Sequence, residues 1–404
     1  MEEFKINVPD AVIEDLRDRL ARARFPDDLA NEGWVYGTNA AYLKQLCDYW
    51  RDGFDWRAQE REMNRFSHYR TTVDGNPIHF IHQRGKGPKP MPIILNHGWP
   101  WTFWDMKKVI GPLSDPAAYG GDPADAFDVV VPSLPGYGFS TPLAKTGLNF
   151  WNTADLWVKL MQEQLGYQRF SSYGGDWGSL ITAQLGHKHA DKLHGIYVSL
   201  PLPLDIFQGP FPGAPGDFGP DEQGWLAKNE LFFAGESGYS ALQATKPQSL
   251  AYGLTDSPVA QCAWILEKRR TWSHCNGNVE SMFSKDELLT TMTIYWATAS
   301  GGSSARYYYE CAHNPWKPSH SRQPLVEAPT GVAVFENEII NLPKSWSEKN
   351  YNLQRYKRFT KGGHFAPMEN PDAIVAELRE FFRPLRLNDD GVALRHALWF
   401  NPGA

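Results

Sequence analysis

The chain predicts an α/β protein: a mostly parallel sheet flanked by helices, with a helical insertion past its middle and helices at its start. Three observations carry this. Short apolar runs, such as Met91 to Asn96 and Phe127 to Pro132, read as strands buried on both faces. Helical stretches alternate with them, as crossover helices do between parallel strands. Finally, Gly174-Gly175-Asp176-Trp177-Gly178 has the G-x-nucleophile-x-G form of a sharp strand-to-helix turn, with aspartate in the nucleophile position.

Residues 1–65 read as a helical meander packed on the core. Pro9-Asp10 precedes Val12, Leu16 and Leu20, apolar at helical spacing, with an acid early and arginines late. Pro26 is expected to end that helix. A second helix is predicted from Ala40 to Arg51, with Tyr42, Leu46 and Tyr49 on its apolar face. Asn31 to Thr38 between them reads as a packed loop.

Residues 66–200 form the first part of the core. Phe66 to Val73 and Pro77 to Gln83 flank Asp74-Gly75-Asn76, a hairpin signal. The strands Met91 to Asn96 and Phe127 to Pro132 follow. Phe170 to Tyr173 runs into the turn, a helix from Ser179 to Ala190 leaves it, and Leu193 to Leu200 is the next strand. Residues 201–324 break the rhythm with a Gly/Pro-rich opening. Helices are then predicted at Gln223 to Phe233, Val259 to Thr271 and Lys285 to Ser300, a lid over the sheet. The second core segment, 325–404, brings strands at Thr330 to Phe335 and Tyr356 to Thr360 and a helix from Asp372 to Phe382.

Composition narrows the function. Among 404 residues, 42% hydrophobic and 21% charged content fits a globular chain. A net charge of -6 with no basic run argues against nucleic acid as a partner. Cys47, Cys262, Cys275 and Cys311 form no paired motif and read as free thiols in a reducing, cytoplasmic setting. No signal peptide, membrane span, repeat or low-complexity tract is visible. Gly136-Tyr137-Gly138 breaks off before a dinucleotide fingerprint, since position 141 is threonine. His187-Lys188-His189 is poorly spaced for one metal, so neither metal nor cofactor is expected.

The constellation around Asp176 gives the turn its weight, since Gly-Gly-Asp alone is also an ordinary turn sequence. A carboxylate nucleophile forms an ester with an alkyl carbon, which suits opening an epoxide or displacing a halide and does not suit amide cleavage. His364, in the glycine-rich loop after the last strand, is placed to activate water against that ester. Glu336 and Glu338 both follow the strand Thr330 to Phe335, and position alone barely separates them as its carboxylate partner. Trp177, after the nucleophile, and Trp99, in His97-Gly98-Trp99-Pro100, would donate the two oxyanion-hole N–H groups, with a cis Trp99-Pro100 bond holding the second loop. An alkoxide leaving an epoxide needs a proton donor, for which the lid offers Tyr239, Tyr252, Tyr295, Tyr307, Tyr308 and Tyr309. The residues alone do not select among them.

Taken in order, these motifs resemble the epoxide hydrolases of the α/β-hydrolase superfamily, on the microsomal branch. The likeness spans nearly the whole chain: Phe54-Asp55-Trp56 through His82, His97 to Pro100, Pro135 to Ser140, the aspartate turn, and Gly362 to Phe365. The resemblance implies the α/β-hydrolase fold and two lid tyrosines. Tyr239 lies in Glu236-Ser237-Gly238-Tyr239, and Tyr308 in Ser303-Ser304-Ala305-Arg306-Tyr307-Tyr308. It points to Glu338 as the acid, through Phe335 to Glu338 followed by Pro343. It implies Tyr239, Tyr308 and Trp177 as substrate-binding residues, with an epoxide and water as reactants and a vicinal diol as product. The aromatic-rich lid suggests that the epoxide is apolar or aryl. The microsomal membrane anchor has no counterpart here, and a homodimer is compatible with the chain. The rival readings are a haloalkane dehalogenase using the same aspartate, and a noncatalytic small-molecule-binding protein. The biological role stays open among detoxification, catabolism and biosynthesis.

Overall fold

Apolar runs flanked by turns set the strands of the computed structural model, which describes residues 1–386. Residues 387–404, the end of the second core segment as read from sequence, lie outside the described residues. The strands are β1 (Glu2–Phe4), β2 (His68–Val73), β3 (Asn76–Gln83), β4 (Met91–Asn96), β5 (Phe127–Pro132), β6 (Phe170–Gly174), β7 (Leu193–Val198), β8 (Val326–Asn337) and β9 (Tyr351–Gly363). They form one sheet in the order β1-β2-β3-β5-β4-β6-β7-β8-β9. From β5 to β9 the pairing is parallel, and β1, β2 and β3 join antiparallel at one edge. The fully buried patterns of β5, β6 and β7 match their continuous apolar runs, since helices cover both faces of a parallel sheet.

The hairpin between β2 and β3 turns on Asp74 and Gly75, both at positive φ (48° and 78°), with Val73 paired to Asn76. Two central residues at positive φ make a turn whose twist matches that of the strands. The expected strands are all present, with β8 and β9 longer at both ends than predicted.

Several expectations need correction. The first 65 residues are not wholly helical, because β1 pairs with β2 through Glu2–Arg70 and Phe4–His68. The first helix, Asp10–Ala21, stops short of Pro26. The second, Ala40–Asp52, buries Leu43, Leu46, Cys47 and Trp50 and leaves Tyr42 and Tyr49 half-buried. Those tyrosines instead donate their hydroxyls to Glu280 and Asp286, within residues 201–324. The loop Asn31 to Thr38 is only partly packed: Asn31 is buried, whereas Val35 and Tyr36 are exposed.

The region over the sheet holds more helices than predicted. Besides Gln223–Gly235, Pro258–Thr271 and Lys285–Ala297, it contains Gly238–Thr245, Pro247–Asp256 and Ser300–His313. The helix predicted through Ser300 ends at Ala297, and Ala299 at φ 50° turns the chain into the next one. Short helices rich in Gly, Ser and Tyr carry weak periodicity, which is why the sequence did not show them. The cysteines are free and buried. Among the described residues no helix is long and apolar enough to cross a membrane.

Packing at the antiparallel edge buries several imidazoles. His68 Nδ1 meets His79 Nε2 at 2.9 Å, and His79 Nδ1 meets Ser133 Oγ at 2.9 Å. Burial pulls His68, His82 and His97 down to about 4 each. Unfolded, they would titrate near about 6.5. The unfolded chain therefore binds more protons between these values, so the stability these three histidines contribute is full above pH 6.5 and falls as pH drops toward 4. Each shift corresponds to at most roughly 3 kcal/mol at the acid end. Glu369, raised to about 7 mainly by burial, acts in the opposite direction but is outweighed. The urea midpoint is expected to fall steeply from pH 7 to pH 4.5, and less steeply in His68→Gln. A midpoint flat over that range would contradict the assignment.

Candidate active site

The parallel strands end on one side of the sheet, and the loops leaving those ends meet there. In open α/β sheets such a carboxyl edge is where ligands bind. Asp176 leaves β6 at φ 52° and ψ -127° and starts the helix Trp177–Lys188, two residues earlier than predicted. A non-glycine residue in that backbone region is strained and persists only where its surroundings fix it. Here they do. A Cβ at Gly174 would overlap the Gly178 carbonyl, and one at Gly178 would overlap the Asn96 carbonyl at the end of β4. Gly98, in the His97-Gly98-Trp99-Pro100 loop, lets that loop pass directly over the Asp176 carboxylate.

That loop delivers a donor. The Trp99 N–H donates to Asp176 Oδ1 at 2.7 Å, and the Trp99-Pro100 bond is cis, as expected. On the other side, His364 follows β9, and its Nε2 lies 3.4 Å from Asp176 Oδ2. Its Nδ1 donates to Glu338 Oε1 at 2.6 Å. Glu336 points elsewhere and accepts from Arg358 at 3.1 Å, so geometry separates the two acids that position left together. Glu338 follows β8, and its Oε1 also accepts from the Ile339 N–H at 2.7 Å.

Burial pulls the His364 imidazole down, but the charges of Glu338 and Asp176 outweigh it and raise it to about 10. The imidazole is therefore protonated near neutral pH, lying between two carboxylates. Its ring is held edge-on by Trp101 and Trp272, at centroid distances of 5.6 and 5.0 Å.

Tyr239 and Tyr308 come from the helices Gly238–Thr245 and Ser300–His313 and line one cavity with Asp176. Their rings meet edge-on at 5.8 Å. Burial first, then for Tyr308 the neighbouring Tyr239, and for both the Asp176 charge, hold the two phenols well above the ordinary tyrosine range. They therefore carry protons to donate. Tyr239 stacks on Trp99 at 5.1 Å with planes 6° apart, and Tyr308 packs edge-on to Trp177 at 4.7 Å. The neighbouring Tyr307 turns away and shares a 2.7 Å hydrogen bond with Thr153. Tyr295 donates to the Trp101 carbonyl, and Tyr252 is exposed.

The cavity between them measures about 360 Å³. Apart from Asp176, the tyrosine hydroxyls and two serines, Ser237 and Ser240, its walls are apolar, with Trp177, Leu202, Phe207, Phe232 and Ile340 among them. Among the described residues no His, Cys, Asp or Glu cluster is placed to hold a metal ion.

The sequence reading missed the struts of this site. Arg269, on the helix Pro258–Thr271, is buried in a two-pronged ion pair with Asp105, at 2.6 and 3.0 Å. It also donates to the Pro100 carbonyl at 3.1 Å and lies 4.1 Å from the Phe365 ring centroid. The Trp272 carbonyl accepts from the His364 N–H at 2.9 Å. The helix Pro258–Thr271 and the residue that caps it thus touch both the loop that donates and the loop that carries the histidine. A basic cluster in the last turn of a helix reads as an ordinary dipole complement, so no local signal marks these residues.

The sheet order and its strained turn make this an α/β-hydrolase with a carboxylate where the fold's nucleophile stands. Residues 1–106 match the family model described as epoxide hydrolase N terminus, and residues 91–237 match that of the alpha/beta hydrolase fold. A Stigmatella aurantiaca protein described as a candidate epoxide hydrolase is 42% identical, over 95% of this chain and 85% of its own. Epoxide hydrolase 1 of Oryctolagus cuniculus is 36% identical, over 94% of this chain and 88% of its own. The crystal structure of juvenile hormone epoxide hydrolase from the silkworm Bombyx mori is similar at a TM-score of 0.83 and 26% identity, covering 96% of this chain and 95% of that one. The chain belongs to the epoxide hydrolase family and is an enzyme of that family, adding water to an epoxide.

Proposed function

We propose that the enzyme hydrolyses an apolar epoxide to a vicinal diol through an alkyl ester on Asp176. The observation that carries this is the bracketing of one carboxylate: a backbone N–H at Oδ1 and the imidazole at Oδ2. Oδ2 attacks the epoxide carbon from the back while Tyr239 and Tyr308 bind the oxygen and protonate it as the C–O bond breaks. Oδ1 becomes the ester carbonyl oxygen, already seated on the Trp99 N–H. The Trp177 N–H would complete the oxyanion hole.

Alkylation then changes the base. It removes the Asp176 charge, one of the two that hold His364 protonated at about 10. The imidazole pKa falls and its proton passes through solvent to the phenolate left by ring opening. Neutral His364, oriented by Glu338, takes a proton from water as that water attacks the ester carbonyl. The tetrahedral centre then collapses, the ester C–O bond breaking as the product alkoxide takes the imidazolium proton and the Asp176 carboxylate is restored. The hydrolytic half-reaction therefore speeds up as pH rises, whereas ring opening proceeds with the imidazole protonated. Residues 201–324 act in this scheme as the lid that supplies the tyrosines and excludes water. Buried free thiols support a reducing, cytoplasmic setting.

Diol formation from styrene oxide and from an aliphatic epoxide is the expected activity. A single turnover in heavy-oxygen water, with enzyme in excess, should leave the label in the Asp176 carboxyl and yield unlabelled diol. Label in the diol with none in the Asp176 peptide would mean direct attack by water, and the ester scheme would fall.

A further inference from the structure

One full charge lies behind the tyrosine pair without a role in the steps above. Lys268, on the helix Pro258–Thr271, has a side chain only 5% exposed. Its Nζ lies 5.2 Å from the ring centroid of Tyr239, 5.6 Å from Trp264 and 5.8 Å from Trp272. Its carboxylate partner is the adjacent Glu267, at 2.6 Å. Placing an ammonium among aromatic faces costs much of its hydration, and the attraction of the ring quadrupole returns part of that. Lys268 is not among the residues lining the cavity, so it meets the substrate only through Tyr239.

We propose that Lys268 is a positioning residue for ring opening: seated against the Tyr239 ring, it orients that phenol and stabilises the charge arriving on its oxygen. The inference rests on the reading of Tyr239 as a proton donor. In that step the bond from Asp176 Oδ2 to the epoxide carbon forms. The C–O bond breaks with its electron pair moving to the oxygen, and that oxygen takes the phenolic proton. One negative charge leaves the carboxylate and one appears on the phenol, so charge moves from beside His364 to beside Lys268. Burial and the Asp176 charge both oppose ionisation of Tyr239. A cation against the ring acts in the other sense. Trp99 stacks on the same ring and bears the N–H that holds Asp176, so the orientation of Tyr239 is shared with the oxyanion loop.

The test is the single-turnover rate of ester formation in a cycle of Lys268→Met, Tyr239→Phe and the double variant, with Lys268→Gln as a second neutral substitution should methionine impair folding. Lys268→Met is expected to slow ester formation about tenfold while substrate affinity changes less than about twofold. Lys268→Arg, which keeps the cation, should restore most of the rate. In the Tyr239→Phe background the lysine substitution should have little further effect, because the ring remains but no charge can form on it. Equal losses in both backgrounds would reduce Lys268 to packing and overturn the proposal. If Tyr239→Phe alone leaves the rate unchanged, the donor reading itself fails, and the role of Lys268 with it.

Discussion

Asp176→Ala is expected to lower diol formation by on the order of 10⁵-fold, the scale seen when a covalent nucleophile is removed. The reason is chemical rather than structural. The residue already sits at positive φ, and the glycines at 98, 174 and 178 leave room for any smaller side chain. The variant should therefore fold, and substrate should still enter the apolar cavity. What is lost is the carboxylate whose Oδ1 meets the Trp99 N–H and whose Oδ2 meets His364. A second consequence can be read independently of activity. Without the Asp176 charge the imidazole loses one of the fields that raise it to about 10, so its titration moves to lower pH. Substantial turnover in a folded Asp176→Ala enzyme would show that water attacks the epoxide directly.

His364→Gln should stop turnover and leave the first half-reaction running. Glutamine keeps a polar group facing Glu338 but cannot accept a proton from water. The epoxide then opens once per enzyme and the ester persists. Intact-mass analysis should show one added substrate mass, and digestion should place it on the peptide carrying Asp176. The steady-state rate is expected to fall by roughly 10³-fold or more, the range for loss of a general base that works with an oriented partner. Because the protonated imidazole of the resting enzyme only neighbours Oδ2, ring opening should slow far less than ester hydrolysis. A variant that neither turns over nor gains mass would count against the division of labour between the two residues.

Much of the site was legible before the fold was known, because its groups are attached to local signals. Asp176 is announced by the glycines of its turn, His364 by Gly362 and Gly363, and Trp99 by His97-Gly98 and Pro100. Glu338 and Tyr308 were different. Each has a competitor two positions or one position away, and only the likeness to a family chose between them. Glu336 faces Arg358 and Tyr307 faces Thr153, both facts of side-chain direction that a strand end or a helix of consecutive tyrosines does not encode.

The amino-acid sequence by itself determined the strands of the parallel sheet, the turn that presents Asp176 and the chain order of that aspartate, an acid after a later strand and His364. Apolar runs and glycine spacing are properties of neighbouring residues, and local sterics read them directly. Tertiary structure alone decided how the helix Pro258–Thr271 bears on the site. Arg269 meets Asp105 and Pro100 across more than 160 residues of chain, and Lys268 meets Tyr239 from another helix. Such charges are tolerated in the interior only when folding supplies their partners, and nothing in a residue's own surroundings along the chain says which partners those will be.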